Sequence, residues 1–210
     1  SAIIAASVLI FGATLLFFLQ SLPGNFIISA SVLLIIKLIG LAATVLLLVY
    51  EIDKSNAFVK SICTAARQAN CSAVLNSRAS KILGMSWSEA GFFYFASTFL
   101  FLLFPSITFT TKLFVLSVAN ILAVPYILFS VYYQWKVVKQ WCPLCLTVQA
   151  VLAAELTWGI VNFWQQPYLP PESYNALLIA FYLLLIPITL LYILKPLILK
   201  AKEKRVYKNA

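Results

Sequence analysis

The chain has 210 residues, of which 63% are hydrophobic and 10% are charged, and it carries a formal net charge of +9 without any histidine. Soluble domains are about 45–50% apolar and about 25% charged, so the composition indicates an integral membrane protein with the length of one helical bundle. The absence of histidine excludes imidazole metal ligands and histidine-based acid–base catalysis. Nucleic acid is not expected as a partner, because the basic residues lie in short segments beside apolar runs.

Six apolar runs follow one another along the chain, and all but the short third one have about the 20 residues that a membrane-spanning helix needs. They cover residues 2–19, 26–50, 90–104, 113–133, 142–164 and 176–199. The predicted fold class is therefore an all-α integral membrane protein with about six spans. Six spans place both ends of the chain on the same face of the membrane.

The longest polar segment, residues 51–89, carries Cys63 and Cys71. We expect it to form a cap outside the hydrocarbon, over one end of the bundle. Counting spans places all four cysteines on this face. Lys37 falls near the middle of the second run, where a charge is costly. Either it is a functional group within the membrane, or the span is shifted or Lys37 faces a cavity toward the lipid head groups.

Two rules disagree about the orientation of the cysteine-bearing face. Of the 15 Lys and Arg residues, all but Lys37 and Lys112 are assigned to this face, and the positive-inside rule would make it cytoplasmic. Disulfides persist in oxidising compartments, which favours the opposite side. Because many of the basic residues belong to the C-terminal tail, we expect the extracytoplasmic side. The tail is expected either to bind anionic lipid head groups or to lead into a further soluble domain.

Cys142 and Cys145 flank Pro143 and Leu144 at the start of the fifth run. Cys142 as N-cap and Pro143 as first helical residue satisfy the preferences of a helix start, where the helix dipole favours a thiolate. Three interpretations compete. The cysteines are buried packing residues, a four-thiolate zinc site or a dithiol relay. The loose spacing of Cys63 and Cys71 disfavours zinc, so no metal is expected, and the relay accounts for both pairs.

The stretch "CSAVLNSR" at residues 71–78, with Cys63 eight positions before it and "CPLC" at 142–145, resembles the vitamin K epoxide reductase family. That family has two loop cysteines with this spacing, a serine six residues after the second, and a Cys-x-x-Cys at the start of its last core helix. The resemblance covers roughly residues 26–166 and implies a four-helix transmembrane core bundle. Residues 1–25 and 167–210 would then add an extra span at each end, the second followed by the basic tail, which could lead to a thioredoxin-like domain.

The resemblance implies a quinone (ubiquinone, menaquinone or a vitamin K type) in a pocket at the top of the bundle. Cys145 would meet the quinone ring, Cys142 would exchange with Cys71, and Cys63 would meet the thiol of a thioredoxin-like partner. Ser77 would hydrogen-bond near the active-site sulfur. Exchange between such pairs proceeds by thiolate attack through mixed disulfides.

The chain departs from the family at two positions near the implied quinone pocket. Animal members carry a tyrosine where this chain has Gln149, whose amide can still donate a hydrogen bond. A family asparagine is missing near "WSEAG", where Trp87, Ser88 or Glu89 could replace it. Glu89 is expected to be a solvated interfacial residue rather than a pocket acid. The implied quinone contacts are Val74, Leu75, Trp87, Glu89 and Gln149.

The function implied by this resemblance is that of a bacterial inner-membrane thiol oxidoreductase. It would oxidise a thioredoxin-like partner, separate or fused, and pass the electrons to a membrane quinone in support of disulfide formation. One alternative is a quinone or vitamin K epoxide reductase, with quinol as the wanted product. The other is a non-catalytic membrane protein with structural disulfides.

Overall fold

The computed structural model describes residues 24–54, 56–64, 69–77, 80–82, 84–164 and 173–209, together with 12–13, 15–16 and 20. A short 3₁₀ turn (Gly24–Phe26) comes first. The elements that follow it are α1 (Ile27–Ile52), α2 (Ala57–Cys63), α3 (Cys71–Leu75), β1 (Lys81–Ile82), β2 (Met85–Ser86), α4 (Trp87–Leu103), α5 (Phe109–Tyr132), a π-helical segment (Tyr133–Val138), α6 (Pro143–Trp164) and α7 (Ser173–Asn209).

The prediction of an all-α membrane protein is confirmed. Four of the described helices are long and apolar enough to cross a membrane, and α4 is a shorter apolar helix. The four are Ile27–Ile52, Phe109–Val138, Pro143–Val161 and Tyr174–Lys200. Five of the six predicted spans thus correspond to helices. The predicted span at 2–19 lies largely outside the described residues, and the domain boundaries stay predictions.

The helices pack in a defined order, which places α6 at the centre of the site described below. Helix α1 packs against α4 and α6, α5 packs against α6, and α7 packs against α4. The close approach of α1 and α4 depends on Gly40, because a Cβ atom there would lie 2.2 Å from the ring of Phe95. Small residues permit such close helix crossings in membranes.

Lys37 is buried and paired. Its side chain crosses from α1 to α6, where Nζ lies 2.9 Å from Glu155 Oε2. The same ammonium group sits 4.6 Å from the centroid of the Tyr94 ring. Of the two interpretations of Lys37, the structure therefore supports the paired group within the bundle and not a shifted span.

The expectation that Glu89 is solvated is wrong. Ser86 caps α4 by accepting a hydrogen bond from the Glu89 backbone N–H, and the Glu89 carboxylate accepts one from the Ser86 N–H at 2.9 Å. The other Glu89 oxygen forms an ion pair with Lys195 of α7. A carboxylate at N3 of a capping box is held at the helix start. Glu89 therefore links the β1–β2 hairpin, α4 and α7 instead of facing solvent.

Candidate active site

The Cys-x-x-Cys motif lies at the start of α6, which begins at Pro143. The sulfur of Cys142 accepts a hydrogen bond from the Cys145 N–H at 3.3 Å, so it fills the capping position at this helix start. Both thiols are free and buried. The predicted helix start at Pro143, with Cys142 in the capping position, is thus confirmed.

The segment before the motif holds it in place. The chain leaves α5 through the π-helical turn and reverses at Lys139, whose φ is +55°. This path brings the Cys-x-x-Cys motif back to Gln134, whose Oε1 accepts a hydrogen bond from the Cys142 N–H at 2.8 Å. Gln134 Nε2 in turn donates to Ser130 Oγ at 3.2 Å. A single-turn π-bulge is often found at a functional site, and here it aims a buried amide at the cysteine backbone.

The cap brings the second cysteine pair to the first. Cys63 and Cys71 form a disulfide with a Cα–Cα distance of 5.4 Å. The Asn70 N–H donates to the Trp141 carbonyl at 2.9 Å, next to a parallel bridge between Ala69 and Trp141. Cys71 directly follows Asn70, and Cys142 directly follows Trp141. The two pairs therefore meet, and all four cysteines belong to one buried apolar cluster.

Two asparagines fix the short helices that carry the cap disulfide. Asn56 Oδ1 accepts from the Val59 N–H at 3.3 Å and begins α2, and Asn70 Oδ1 accepts from the Ala73 N–H at 3.1 Å and begins α3. Asparagine is among the preferred N-cap residues. Cys63 and Cys71 are 1% and 0% exposed, so the disulfide is covered in this conformation.

Ser77 does not contact a sulfur here. Its hydroxyl donates to the Val74 carbonyl at 2.7 Å, and its own carbonyl accepts from Ser80 Oγ at 2.7 Å. The expected hydrogen bond near the active-site sulfur is thus replaced by a local turn, since serine hydroxyls readily bond to nearby backbone. Val74 and Leu75 pack against the cysteine cluster from the cap side.

A cavity of about 630 Å³ lies between α4, α5 and α6. Val148 and Leu152, three and seven residues after Cys145, form part of its wall, so the cavity lies on the α6 face that carries Cys145. Trp87 and Tyr126 also line it, and their rings stack with centroids 4.6 Å apart.

This cavity fits a quinone. Ligand pockets of about 300–1,000 Å³ are mostly apolar, with a few placed polar groups. Here the lining is mostly apolar and aromatic, Lys81 is its charged residue, and Tyr126 supplies a phenolic hydroxyl. A flat aromatic ring with an apolar tail matches that chemistry. Of the predicted quinone contacts, Trp87 lines the cavity, whereas Glu89 is held in its capping box.

Gln149 lies one turn after Cys145 and is buried. Its Nε2 donates to Ser130 Oγ, and its Oε1 has no hydrogen-bond partner among the described residues. One of its two amide hydrogens is therefore used within the bundle. Sequence reasoning missed Ser130, Gln134 and Tyr126. The sequence did contain a signal for them, because these three polar residues are spaced four apart and therefore share one face of an apolar helix.

At the far end of the cavity, Tyr94 belongs to a buried polar cluster. Its hydroxyl donates to Glu155 Oε2 at 2.7 Å, and Asn120 Nδ2 donates to the same carboxylate oxygen at 3.2 Å. Together with Lys37, three donors converge on one oxygen. Such convergence offsets the cost of burying the charge.

Fold and site together define a membrane-embedded redox protein in which a disulfide-bonded cysteine pair lies against a free pair beside an apolar cavity. The family model described as "Vitamin K epoxide reductase family" matches residues 31–160, so the chain belongs to that family and the predicted resemblance is confirmed. Its members are oxidoreductases and are quinone-linked in general. Comparisons with curated proteins and with solved structures gave no match.

Proposed function

We propose that this chain oxidises the thiols of a thioredoxin-like partner and passes the electrons through its two cysteine pairs to a membrane quinone, in support of disulfide formation. One observation carries the proposal. Cys142 and the cap disulfide belong to one buried cluster, while Cys145, one turn further along α6, lies on the face whose Val148 and Leu152 line the cavity. The Cys-x-x-Cys motif therefore lies between the cap disulfide and the apolar cavity.

The arrangement supports one order of exchange. The partner's two thiols reduce the Cys63–Cys71 disulfide. Cys71 then attacks the disulfide of the inner pair, Cys142 and Cys145. Each exchange is thiolate attack through a mixed disulfide, with no change in the total number of disulfides. The oxidised cap pair and free inner pair seen here correspond to the state in which the electrons have moved inward. When bound, a quinone would accept the two electrons and two protons that leave Cys142 and Cys145 as they form a disulfide.

A protein partner needs the cap to move, because Cys63 is 1% exposed. Helix α2 is short, and Phe58 on it is 66% exposed, which offers the partner an apolar contact five residues before Cys63. We propose that docking on α2 displaces the helix and uncovers the sulfur.

The proposed setting is a bacterial inner membrane with the cysteines on the extracytoplasmic side. The cap disulfide supports this side, since disulfides persist in oxidising compartments. The Lys195–Glu89 ion pair also ties one basic residue of the C-terminal segment to α4. That residue is then a weaker topology signal than a free juxtamembrane lysine.

The test uses purified protein in detergent, a reduced thioredoxin-like protein as the electron donor and menaquinone or ubiquinone as the acceptor. Loss of partner thiols and formation of quinol are measured in the same sample. The expected result is one quinol for each pair of thiols lost. Thiol loss without quinol formation contradicts the quinone route, and quinol formation from dithiothreitol but from no protein donor contradicts the partner.

A further inference from the structure

We infer that Tyr126 donates the hydrogen bond that binds and activates a quinone carbonyl oxygen, and that Ser130 and Gln149 set the direction of its hydroxyl. This inference rests on the proposed function and adds a catalytic residue on α5, outside the cysteine motifs. It concerns the chain's own residues in the cavity beside Cys145.

The position of Tyr126 suits this role. Its ring stacks on Trp87 at an interplanar angle of 29°, and both residues line the cavity. The side chain packs against the buried cluster that contains Cys142 and Cys145, the inner cysteine pair. A quinone in this cavity would therefore contact the Tyr126 side chain, next to the face of α6 that carries Cys145.

Counting hydrogens at Ser130 gives the direction of the Tyr126 hydroxyl. A serine hydroxyl has two acceptor lone pairs and one hydrogen. Ser130 Oγ accepts from Gln134 Nε2 at 3.2 Å and from Gln149 Nε2, so both lone pairs are used. Its one hydrogen is left for the hydroxyl of Tyr126, which lies one turn away on the same helix face. Ser130 must be the donor in that bond, and Tyr126 the acceptor.

The hydrogen of Tyr126 is then directed away from Ser130 and towards the cavity. Other hydroxyls of the bundle behave differently. Ser97, for example, donates to the Phe93 carbonyl at 2.6 Å, the usual bond of a serine within a helix. The two buried glutamines thus prevent Ser130 from acting as the acceptor for Tyr126 and leave the phenol free to donate.

A donor placed in this way assists the reaction because negative charge develops on the quinone oxygen. A preorganised donor in an apolar site stabilises such charge more than water does. The electrons come from the inner pair, as the Cys142–Cys145 disulfide forms, and the two thiol protons balance the two that quinol requires. Tyr126 supplies a hydrogen bond and undergoes no net change.

The test compares Tyr126→Phe with Tyr132→Phe, a matched control on the same helix whose side chain is 59% exposed. Quinone affinity is measured by quenching of tryptophan fluorescence, and the bound carbonyl stretch by infrared difference spectroscopy. Quinone reduction is measured with dithiothreitol as donor. Removing one such donor costs about 10²–10³ in rate where it faces the transition state. We therefore expect Tyr126→Phe to lower the rate at least tenfold, to weaken affinity severalfold and to abolish the downshift of one carbonyl band. Tyr132→Phe should match the wild type.

Ser130→Ala provides a second readout. It keeps the phenol but removes the group that directs it, so the shifted carbonyl band should broaden while the rate falls less than in Tyr126→Phe. A Tyr126→Phe protein with the wild-type carbonyl band and affinity contradicts the inference alone, provided that the wild type reduces quinone. A wild type that neither binds nor reduces any quinone contradicts the proposed function as well.

Discussion

Lys37 Nζ and Glu155 Oε2 lie 2.9 Å apart in the interior of the bundle, and their side chains are 1% and 3% exposed. The two residues are 118 positions apart in sequence and belong to different helices. Neither charge has access to water. The pair ties α1 to α6, the helix that carries Cys142 and Cys145, and therefore contributes to the position of the redox site.

Replacing one partner of the Lys37–Glu155 pair should destabilise the protein more than replacing both. Removing one partner of a buried ion pair costs about 3–5 kcal/mol, because the other charge is left uncompensated, whereas an apolar replacement of both is often tolerated. We expect Lys37→Met to destabilise the protein by that amount in detergent. Lys37→Met combined with Glu155→Gln should recover much of the loss. Thermal unfolding of both single variants and the double variant measures the coupling, and strictly additive losses would contradict it.

The crossing of α1 and α4 predicts a sharp effect at Gly40. A Cβ atom there would lie 2.2 Å from the Phe95 ring, and overpacking of a core typically costs about 1–3 kcal/mol. Gly40→Ala should therefore lower thermal stability. Gly24→Ala is the matched control, because a Cβ at that position meets nothing within 4 Å. Adding Phe95→Leu to Gly40→Ala should restore part of the stability. Equal effects of the two glycine substitutions would contradict the close approach.

Gln134 should matter for stability although it is remote from the cysteines in sequence. Gln134→Leu keeps much of the volume but leaves the buried Cys142 N–H without its acceptor, which costs about 1–3 kcal/mol. We expect a lower midpoint of unfolding and faster alkylation of Cys142, whose backbone is less fixed. Gln140→Leu, in the following turn, is the control. An unchanged midpoint and alkylation rate would show that the Gln134 contact is not maintained in solution.

Cys63 should distinguish protein donors from small ones. Cys71 lies beside Cys142, so a small dithiol that enters beneath the cap can still reduce the inner pair when Cys63 is absent. Cys63→Ala should retain quinone reduction with dithiothreitol and lose it with a reduced thioredoxin-like protein. The two donors are compared at matched concentrations of thiol. An equal loss with both would remove the shuttle role from Cys63.

The sequence predicted the local features of this site but not its long-range pairs. The start of α6 could be placed because Cys142 and Pro143 are suited to the N-cap and first helical positions. The partner of Lys37 could not be found, since a charge within an apolar run can pair with a polar group on any neighbouring helix. Glu89 was misplaced for a related reason. A glutamate at a helix start is expected to be solvated, because the sequence does not show that α7 places Lys195 next to it.

The most direct test of the account is quinone reduction by purified wild-type protein and by Cys145→Ala, with dithiothreitol as the donor and ultraviolet absorbance as the readout. Cys145 lies on the cavity face of α6, whereas Cys142 meets the cap. We therefore predict rapid reduction by the wild type and none by Cys145→Ala, with the Cys63–Cys71 disulfide still reducible in the variant. Quinone reduction that persists in Cys145→Ala would contradict the assignment of Cys145 as the residue that transfers electrons to the quinone.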